Sequence, residues 1–254
     1  MRIPLLFAAA VLSTLPACFQ LEATAQVGYA QLAVDGDLGY VSGSTTGSIS
    51  QDVESAFGLG DDQGSPYGRA VLDTGLQVFS VSGFMLEDSG TGVLQANFGD
   101  SGTLIANTPV RSELEMTNLK GAYALEIPLG PVSLSPGIAI DYFDLRVQVA
   151  DLIGIANEEV ELNAPIPLAF VRGEVDLGVV SAVAEIGYMA VDVEDVDVKF
   201  LDVEALLMVH PLPLLNLFVG YRSLELDAEG LIDGDRFDTD LQISGFVIGG
   251  GLIF

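Results

Sequence analysis

The sequence is poor in several residue types, and each shortage excludes a class of protein. It contains no tryptophan, one cysteine and one histidine in 254 residues, so an intramolecular disulfide is impossible. Lysine and arginine number nine against 36 aspartates and glutamates, which makes nucleic acid and anionic membrane surfaces poor partners. No run of 18 or more apolar residues follows the N-terminus, which excludes a bundle of transmembrane helices.

The single histidine also limits the chemistry that the chain can perform. His210 precedes Pro211 in a predicted turn, where we expect it to be a turn residue. The acidic segment 233–240 lacks the glycine and glutamate positions of an EF-hand, and no phosphate-binding glycine loop is present. We therefore expect no catalytic residue, no cofactor and no metal site. The acids are spread along the chain, and we interpret them as residues of solvated loops. The alternative is that they bind divalent cations that bridge the protein to anionic lipopolysaccharide.

Residues 1–25 predict an export signal, since Arg2 precedes an apolar stretch over 3–12. Two processing sites remain open. Leu-Pro-Ala-Cys at 15–18 resembles the bacterial lipobox, in which Cys18 would become the lipidated first residue. Ala-Thr-Ala at 23–25 fits ordinary cleavage instead. We favour lipidation of Cys18, and we place the folded domain at 26–254.

What the chain has in abundance is alternation of apolar and polar residues with a period of two, the signal for β-strands. Between Val132 and Tyr142 one face is apolar and the other is small or polar, and the pattern recurs from Leu119, Ala182 and Phe200. In each case the charged residues lie on one face only. The alternation predicts ten strands, at 26–35, 67–73, 76–87, 112–127, 132–149, 164–176, 180–193, 197–209, 214–227 and 239–254.

Two parts of this assignment remain open. Eight strands result if 73–75 is not a turn, because 67–87 then forms a single strand. Residues 36–66 are interpreted as the first long loop, with another strand pair as the alternative.

The last predicted strand carries the most specific signature. Its apolar face consists of Phe246, Ile248, Leu252 and Phe254 together with a glycine, and such a strand cannot remain a free edge in water. It resembles the closing strand of bacterial outer-membrane β-barrels, in which these positions form the assembly signal. The resemblance implies an all-β, antiparallel up-and-down transmembrane barrel of about ten strands. It also implies export to the bacterial outer membrane, with membrane lipid, lipopolysaccharide and the barrel assembly machinery as partners.

The same resemblance orients the barrel and bears on its activity. Short turns belong in the periplasm and longer loops outside, so we place the long loops near 88–110, 151–163 and 228–238. Tyr142 and Tyr188 then lie roughly 25 Å above their turns and mark the outer aromatic girdle; the alternative is the core of a soluble barrel. Barrel enzymes of this kind, such as the omptin proteases, use a histidine near the outer rim or on the lipid-facing wall. This chain has none there, so we expect no enzymatic activity.

The charged residues of the inward face are expected to fill a narrow lumen as a salt-bridged network. These residues are Lys120, Glu126, Asp141, Arg172, Glu174, Glu185, Asp202, Glu204 and Arg222. Because acids outnumber bases in this set, some should be protonated or bound to a cation. The functional alternatives are an ion pathway or paired acids for hydrolysis.

The sequence therefore predicts a non-enzymatic outer-membrane barrel with a structural, surface-interaction or narrow-conduit role. The alternative is a lipid-anchored, lipocalin-like barrel that carries an apolar ligand. These two differ in which face is apolar: a soluble barrel hides its apolar residues inside and shows charge outside.

Overall fold

The structure is a computed structural model, and it describes residues 21–42, 49–99, 104–193, 196–232 and 235–254. Within this part, ten long antiparallel strands pair in chain order and close into a barrel. The long strands are β1 (Glu22–Ser42), β3 (Gln63–Asp73), β4 (Gln77–Val93), β5 (Pro109–Leu125), β7 (Val132–Asp151), β8 (Asn157–Asp176), β9 (Val180–Val193), β10 (Val196–Leu212), β11 (Leu215–Ile232) and β12 (Asp235–Ile253). The short elements are β2 (Gln51–Asp52), α1 (Val53–Phe57) and β6 (Ile127–Pro128).

The barrel is closed by pairing of the first strand with the last. β1 and β12 pair from Thr24–Ile253 to Ser42–Asp235, and the backbones of Ala23 and Phe254 exchange hydrogen bonds of 2.8 and 3.2 Å. Closure removes both sheet edges, so the apolar C-terminal strand is paired on both sides and does not remain a free edge. The predicted fold class and number of strands are confirmed.

The eight-strand alternative fails at the turn between β3 and β4. Asp73 accepts a hydrogen bond of 2.6 Å from the backbone N–H of Gly75, which has a positive φ of 81°. A residue without a side chain adopts this conformation at little cost, so the chain reverses here. β3 and β4 then pair as a hairpin from Asp73–Val78 upward.

The strands extend further from the periplasmic turns than the sequence predicted. β7 and β8 each have 20 residues and continue through most of the predicted loop 151–163. β4 and β5 likewise take residues from both ends of the predicted loop 88–110. These segments were interpreted as loops because their exposed positions are charged, but charge on alternate positions is compatible with a strand.

The two faces of the barrel exchange character along its height. Near the periplasmic turns the outer face is apolar, with exposed Ile138, Ile140 and Phe246. In the outer half the inner face is apolar instead, and the buried residues there include Phe143, Leu145, Val147, Leu226 and Ile243. The outer face at that height carries exposed charges, including Glu113, Glu115, Arg146, Glu159 and Asp227. The prediction that charge lies only inside is therefore correct for the periplasmic half and wrong for the outer half.

Tyr142 and Tyr188 lie on the outer wall, 40% and 48% exposed, where the exterior changes from apolar to charged. The alternative that they belong to a soluble core is therefore wrong. Arg146 and Asp192 lie four residues further along the same strands, on the same outward face. The tyrosines thus bound the apolar band of the exterior, at the position of an interfacial aromatic girdle.

The interpretation of 36–66 as a loop needs correction within its described part. β1 runs to Ser42, and after residues 43–48, which lie outside the described residues, β2 and α1 follow. Asp52 caps α1 by accepting a 2.7 Å hydrogen bond from the N–H of Ser55. α1 buries Val53, Ala56 and Phe57 against the apolar lining of the outer half. This segment packs against β1 and β4 in the outer half of the barrel.

No helix in the described part of the chain is long and apolar enough to cross a membrane. Cys18 and most of the predicted export signal lie outside the described residues. β1 begins at Glu22, so the predicted domain boundary at 25/26 falls inside a paired strand.

Candidate functional site

A layer of buried ionic side chains crosses the lumen at the height of the apolar outer band. Inward positions of the strands supply four bases and four acids that are all buried: Arg69, Lys120, Arg172, Arg222, Asp141, Glu185, Asp202 and Glu204. Strand alternation places them there, because their outward neighbours on the same strands are apolar. The layer lies directly beneath the apolar core of the outer half.

Arg222 occupies the centre of this layer. Its two terminal nitrogens each lie 2.9 Å from a carboxylate, one on Asp202 and one on Glu204. The same guanidinium donates to the side-chain oxygen of Asn118 at 2.8 Å and lies 5.2 Å from the ring centre of Phe84. Arg222 thus joins β11 to β10, β5 and β4 through one fully buried planar group.

Glu185 is a second centre, because three cations converge on it. Arg69 and Arg172 both pair with its Oε1, the latter at 3.0 Å, and Lys120 lies 3.4 Å from Oε2. Lys120 also approaches Asp202 at 3.2 Å, and Arg69 also pairs with Glu204. The two centres are therefore one connected network that spans the lumen from β3 and β5 to β8, β9 and β10.

Arg69 and the polar residues that complete the network were not among those predicted from the sequence. Arg69 follows Tyr67 on the inward face of β3, and the Tyr67 hydroxyl donates to Glu204 at 3.0 Å. The signal was present, because β3 alternates inward Ser65, Tyr67 and Arg69 with outward neighbours. With Arg69 included, acids no longer exceed bases in the buried layer, so no excess negative charge there calls for a bound cation.

Asp141 and Glu174 lie at the margins of this layer. Asp141 accepts a hydrogen bond from the amide of Asn118 and neighbours Asp202. Glu174 pairs with Arg172 at 2.5 Å and is 27% exposed toward the periplasmic mouth. Eight of the nine predicted network residues are thus brought together.

Glu126 lies apart from these eight, at the break between β5 and β6, where it lines the periplasmic mouth. It was placed inside because the alternation through Glu126 was extended past the end of the strand. Burial, a hydrogen bond shared with Asp73 and the negative charges of Asp73 and Glu174 together raise the pKa of Glu126 to about 7, against the opposing effect of Arg172.

This pKa predicts a pH dependence of stability. The folded chain holds the proton of Glu126 to higher pH than the unfolded chain, whose pKa is near 4.5, so stability decreases as the pH rises from about 4.5 to 7. Glu126→Gln should flatten this decrease, measured as the unfolding midpoint at pH 5 and pH 8. Glu115→Gln, which alters an exposed carboxyl on the outer wall, is the matched control. An unchanged pH profile in Glu126→Gln contradicts the assignment.

The periplasmic mouth beneath the ionic layer forms a polar cavity of about 400 Å³. Arg69 and Arg172 line it together with Glu22 and Asp73, and His210 lines it from the end of β10. His210 therefore lies at the periplasmic end, within a strand rather than in the predicted turn. Both arginines are already paired with carboxylates of the layer, which leaves the rim of the mouth predominantly acidic.

These features define a class: a closed, ten-stranded antiparallel barrel with an apolar outer band and a lumen blocked by ion pairs. No protein-family model and no curated protein sequence matches the chain. Among solved structures, the chain is similar to the outer membrane protease OmpT from Escherichia coli, with 8% identity, a TM-score of 0.52, and coverage of 95% of this chain and 99% of that chain. The Yersinia pestis attachment invasion locus protein Ail matches at 10% identity and a TM-score of 0.39, over 92% of this chain and 98% of that chain.

The structural neighbours are bacterial outer-membrane β-barrels, and the chain shares their fold. At these identities the similarity extends to the fold alone.

Proposed function

We propose that the protein is a non-enzymatic outer-membrane β-barrel with a closed lumen and a structural or surface-interaction role. The observation that carries this proposal is the double closure of the lumen. Ion pairs among fully buried side chains cross it in the periplasmic half, and apolar side chains fill it in the outer half. A water-filled path would require both layers to separate, which disfavours the narrow conduit considered from the sequence.

The distribution of exterior residues supports a membrane location. Apolar side chains face outward over the periplasmic half up to Tyr142 and Tyr188, and charged ones face outward beyond them. Such a band is stable in hydrocarbon and unstable in water. The lipocalin-like alternative requires an apolar interior and a charged exterior around a ligand cavity; this barrel has that arrangement only in its outer half, where apolar side chains fill the interior.

The arrangement of the lumen also supports the absence of catalysis. OmpT is a protease, but the outer half of the lumen here is lined by aliphatic and aromatic side chains. His210 lies at the opposite, periplasmic end. Because the single histidine lies far from the outer rim, no histidine is available there to act as a base.

Purified protein reconstituted into planar bilayers and into liposomes tests both parts of this proposal. We expect no discrete conductance steps in planar bilayers, in contrast to a wide general porin measured in parallel. The same proteoliposomes should leave quenched fluorescent peptides uncleaved over a range of sequences. Stepwise conductance would overturn the closed lumen, and turnover that scales with folded protein would overturn the non-enzymatic assignment.

The outer half supports a surface-interaction role, since its strands continue beyond the apolar band. Its exposed acids, such as Glu113, Glu159 and Asp227, favour cationic partners, including divalent cations that bridge to lipopolysaccharide. Delivery to the membrane would depend on the barrel assembly machinery, with Phe246, Ile248, Leu252 and Phe254 as its signal. All four side chains lie on the outer wall, exposed for recognition.

We also infer that processing occurs at Cys18 rather than before Gln26. Cleavage before Gln26 would remove Glu22–Ala25, which pairs with β12 on one side and β3 on the other. Cys18→Ser should abolish labelling by a radioactive fatty acid in cells, while Cys18→Ala serves as a second control. Equal labelling of the wild type and both variants would exclude the anchor.

A further inference from the structure

The outer wall carries an apolar groove of about 760 Å³ in its periplasmic half. Its floor is a row of small residues in register, in which Ala184 of β9 pairs with Gly173 of β8 and with Ala205 of β10. Bulky residues bound this row, because Leu134 pairs with Gly173 on one side and Tyr221 with Ala205 on the other. With strands ~4.8 Å apart, the floor is roughly 10 Å wide, enough for two acyl chains side by side.

The groove reaches the periplasmic rim, where it adjoins a polar pocket of about 360 Å³ in the mouth of the lumen, and Val132, Ser133 and Glu174 contribute to the lining of both. Five carboxyl groups surround this pocket: Glu22, Asp73, Glu126, Glu174 and Asp176. The nearest arginine, Arg172, already pairs with Glu185 and Glu174. Apart from Glu174, which Arg172 compensates, the pocket therefore presents an excess of carboxyl groups just inside the rim at which the apolar groove ends.

We propose that this groove and pocket bind one phospholipid with an ammonium headgroup, phosphatidylethanolamine, with its acyl chains on the outer wall along Gly173, Ala184 and Ala205 and its headgroup bent over the rim, so that the ammonium lies among the carboxylates of the mouth. Charge complementarity selects this occupant. An anionic phosphatidylglycerol would face five acids, and a second copy of the barrel would bring the same five acids against them. Asp73 and Glu126 share a hydrogen bond, a crowding of acids that a neighbouring ammonium would relieve.

The groove can be filled with a matched control. A Cβ built on Gly173 meets nothing within 4 Å, and neither does a Cβ on Gly121, which pairs with Ile140 elsewhere on the outer wall. Both Gly173→Leu and Gly121→Leu thus add the same apolar side chain to the lipid-facing surface. Heat-modifiable gel mobility establishes that each variant is folded before lipid binding is compared.

Native mass spectrometry of full-length barrels released from nanodiscs of equal phosphatidylethanolamine and phosphatidylglycerol provides the measurement. We expect the wild type and Gly121→Leu to retain one phosphatidylethanolamine at least about fivefold over phosphatidylglycerol. Gly173→Leu should lose the bound lipid. Glu126→Gln should lower the preference about threefold or more, and free ethanolamine at millimolar concentration should not displace the lipid.

Several outcomes overturn the proposal. Equal retention of the two lipids, or equal loss in Gly173→Leu and Gly121→Leu, shows that no selective site exists. A mass of two barrels that disappears in Gly173→Leu assigns the groove to a second copy. Displacement by ethanolamine assigns the pocket to a free amine rather than to a lipid.

Discussion

Replacing Arg222 by leucine should lower the free energy of unfolding by about 3–5 kcal/mol, the cost of removing one partner from a buried ion pair. Arg222 is 1% exposed and pairs with both Asp202 and Glu204 at 2.9 Å. Leucine leaves both carboxylates in a low-dielectric interior with fewer counter-charges. The measurement is urea unfolding of the barrel in detergent or lipid vesicles, followed by tyrosine fluorescence and gel mobility.

Arg146→Leu is the matched control, because Arg146 contacts three glutamates but is 44% exposed on the outer wall. Water screens these pairs, so its loss should cost about 1 kcal/mol or less. The double variant Arg222→Leu with Glu204→Gln should be less unstable than the sum of the single variants, because the two removed charges are partners. Similar costs for Arg222→Leu and Arg146→Leu would show that the ionic layer does not hold the lumen closed.

Truncating Phe57 to alanine should release the segment 51–60, which packs against β1 and β4 in the outer half of the barrel. Phe57 is fully buried, and its ring centre lies 5.2 Å from that of Phe98 in an edge-to-face contact. Gly58 ends α1 with a φ of 72° and lies against the backbone of Thr91, so the segment is seated with little free space. Loss of a buried phenyl ring costs about 3–5 kcal/mol, which corresponds to local opening at least about a hundredfold more frequent.

Hydrogen exchange of residues 51–60, followed by mass spectrometry, measures this opening directly. Phe79→Ala is the control, because Phe79 is 41% exposed on the lipid-facing wall and leaves no internal cavity when truncated. We expect faster exchange over 51–60 in Phe57→Ala alone, with the pairing of β1 and β12 still protected. Unchanged exchange would mean that the segment is held by its polar contacts, such as the 2.8 Å hydrogen bond from Gly60 to Asp88, rather than by Phe57.

The sequence predicted the structure correctly where the local residue pattern and the fold of the barrel require the same orientation of side chains. In β7 the apolar residues from Val132 to Tyr142 face outward and the small or polar ones inward, as alternation implies. Asp202 and Glu204 could be placed inside for the same reason, because each is flanked by outward aliphatic residues. The turn at Asp73 and Gly75 followed from residue types that favour reversal.

The predictions were wrong where the same alternation of residues is compatible with two orientations of the strand faces. Leu145 and Val147 alternate with Asp144 and Arg146 as regularly as the residues below them, but there the apolar set faces inward. Water replaces lipid outside the barrel at that height, so the same period two supports the opposite orientation. Alternation does not reveal where a strand ends, so it could not show that Glu126 lies beyond the end of β5 and apart from the network.

By itself, the sequence determined an antiparallel barrel of about ten strands with its apolar exterior near the periplasmic turns, because period-two patterning and turn chemistry are local properties. Only the tertiary structure decided which charges meet across the lumen, that Arg69 balances them, and that small residues of β8, β9 and β10 align as a groove. These relations depend on the register and curvature of strands distant in sequence, and no single strand encodes its distance from the opposite wall.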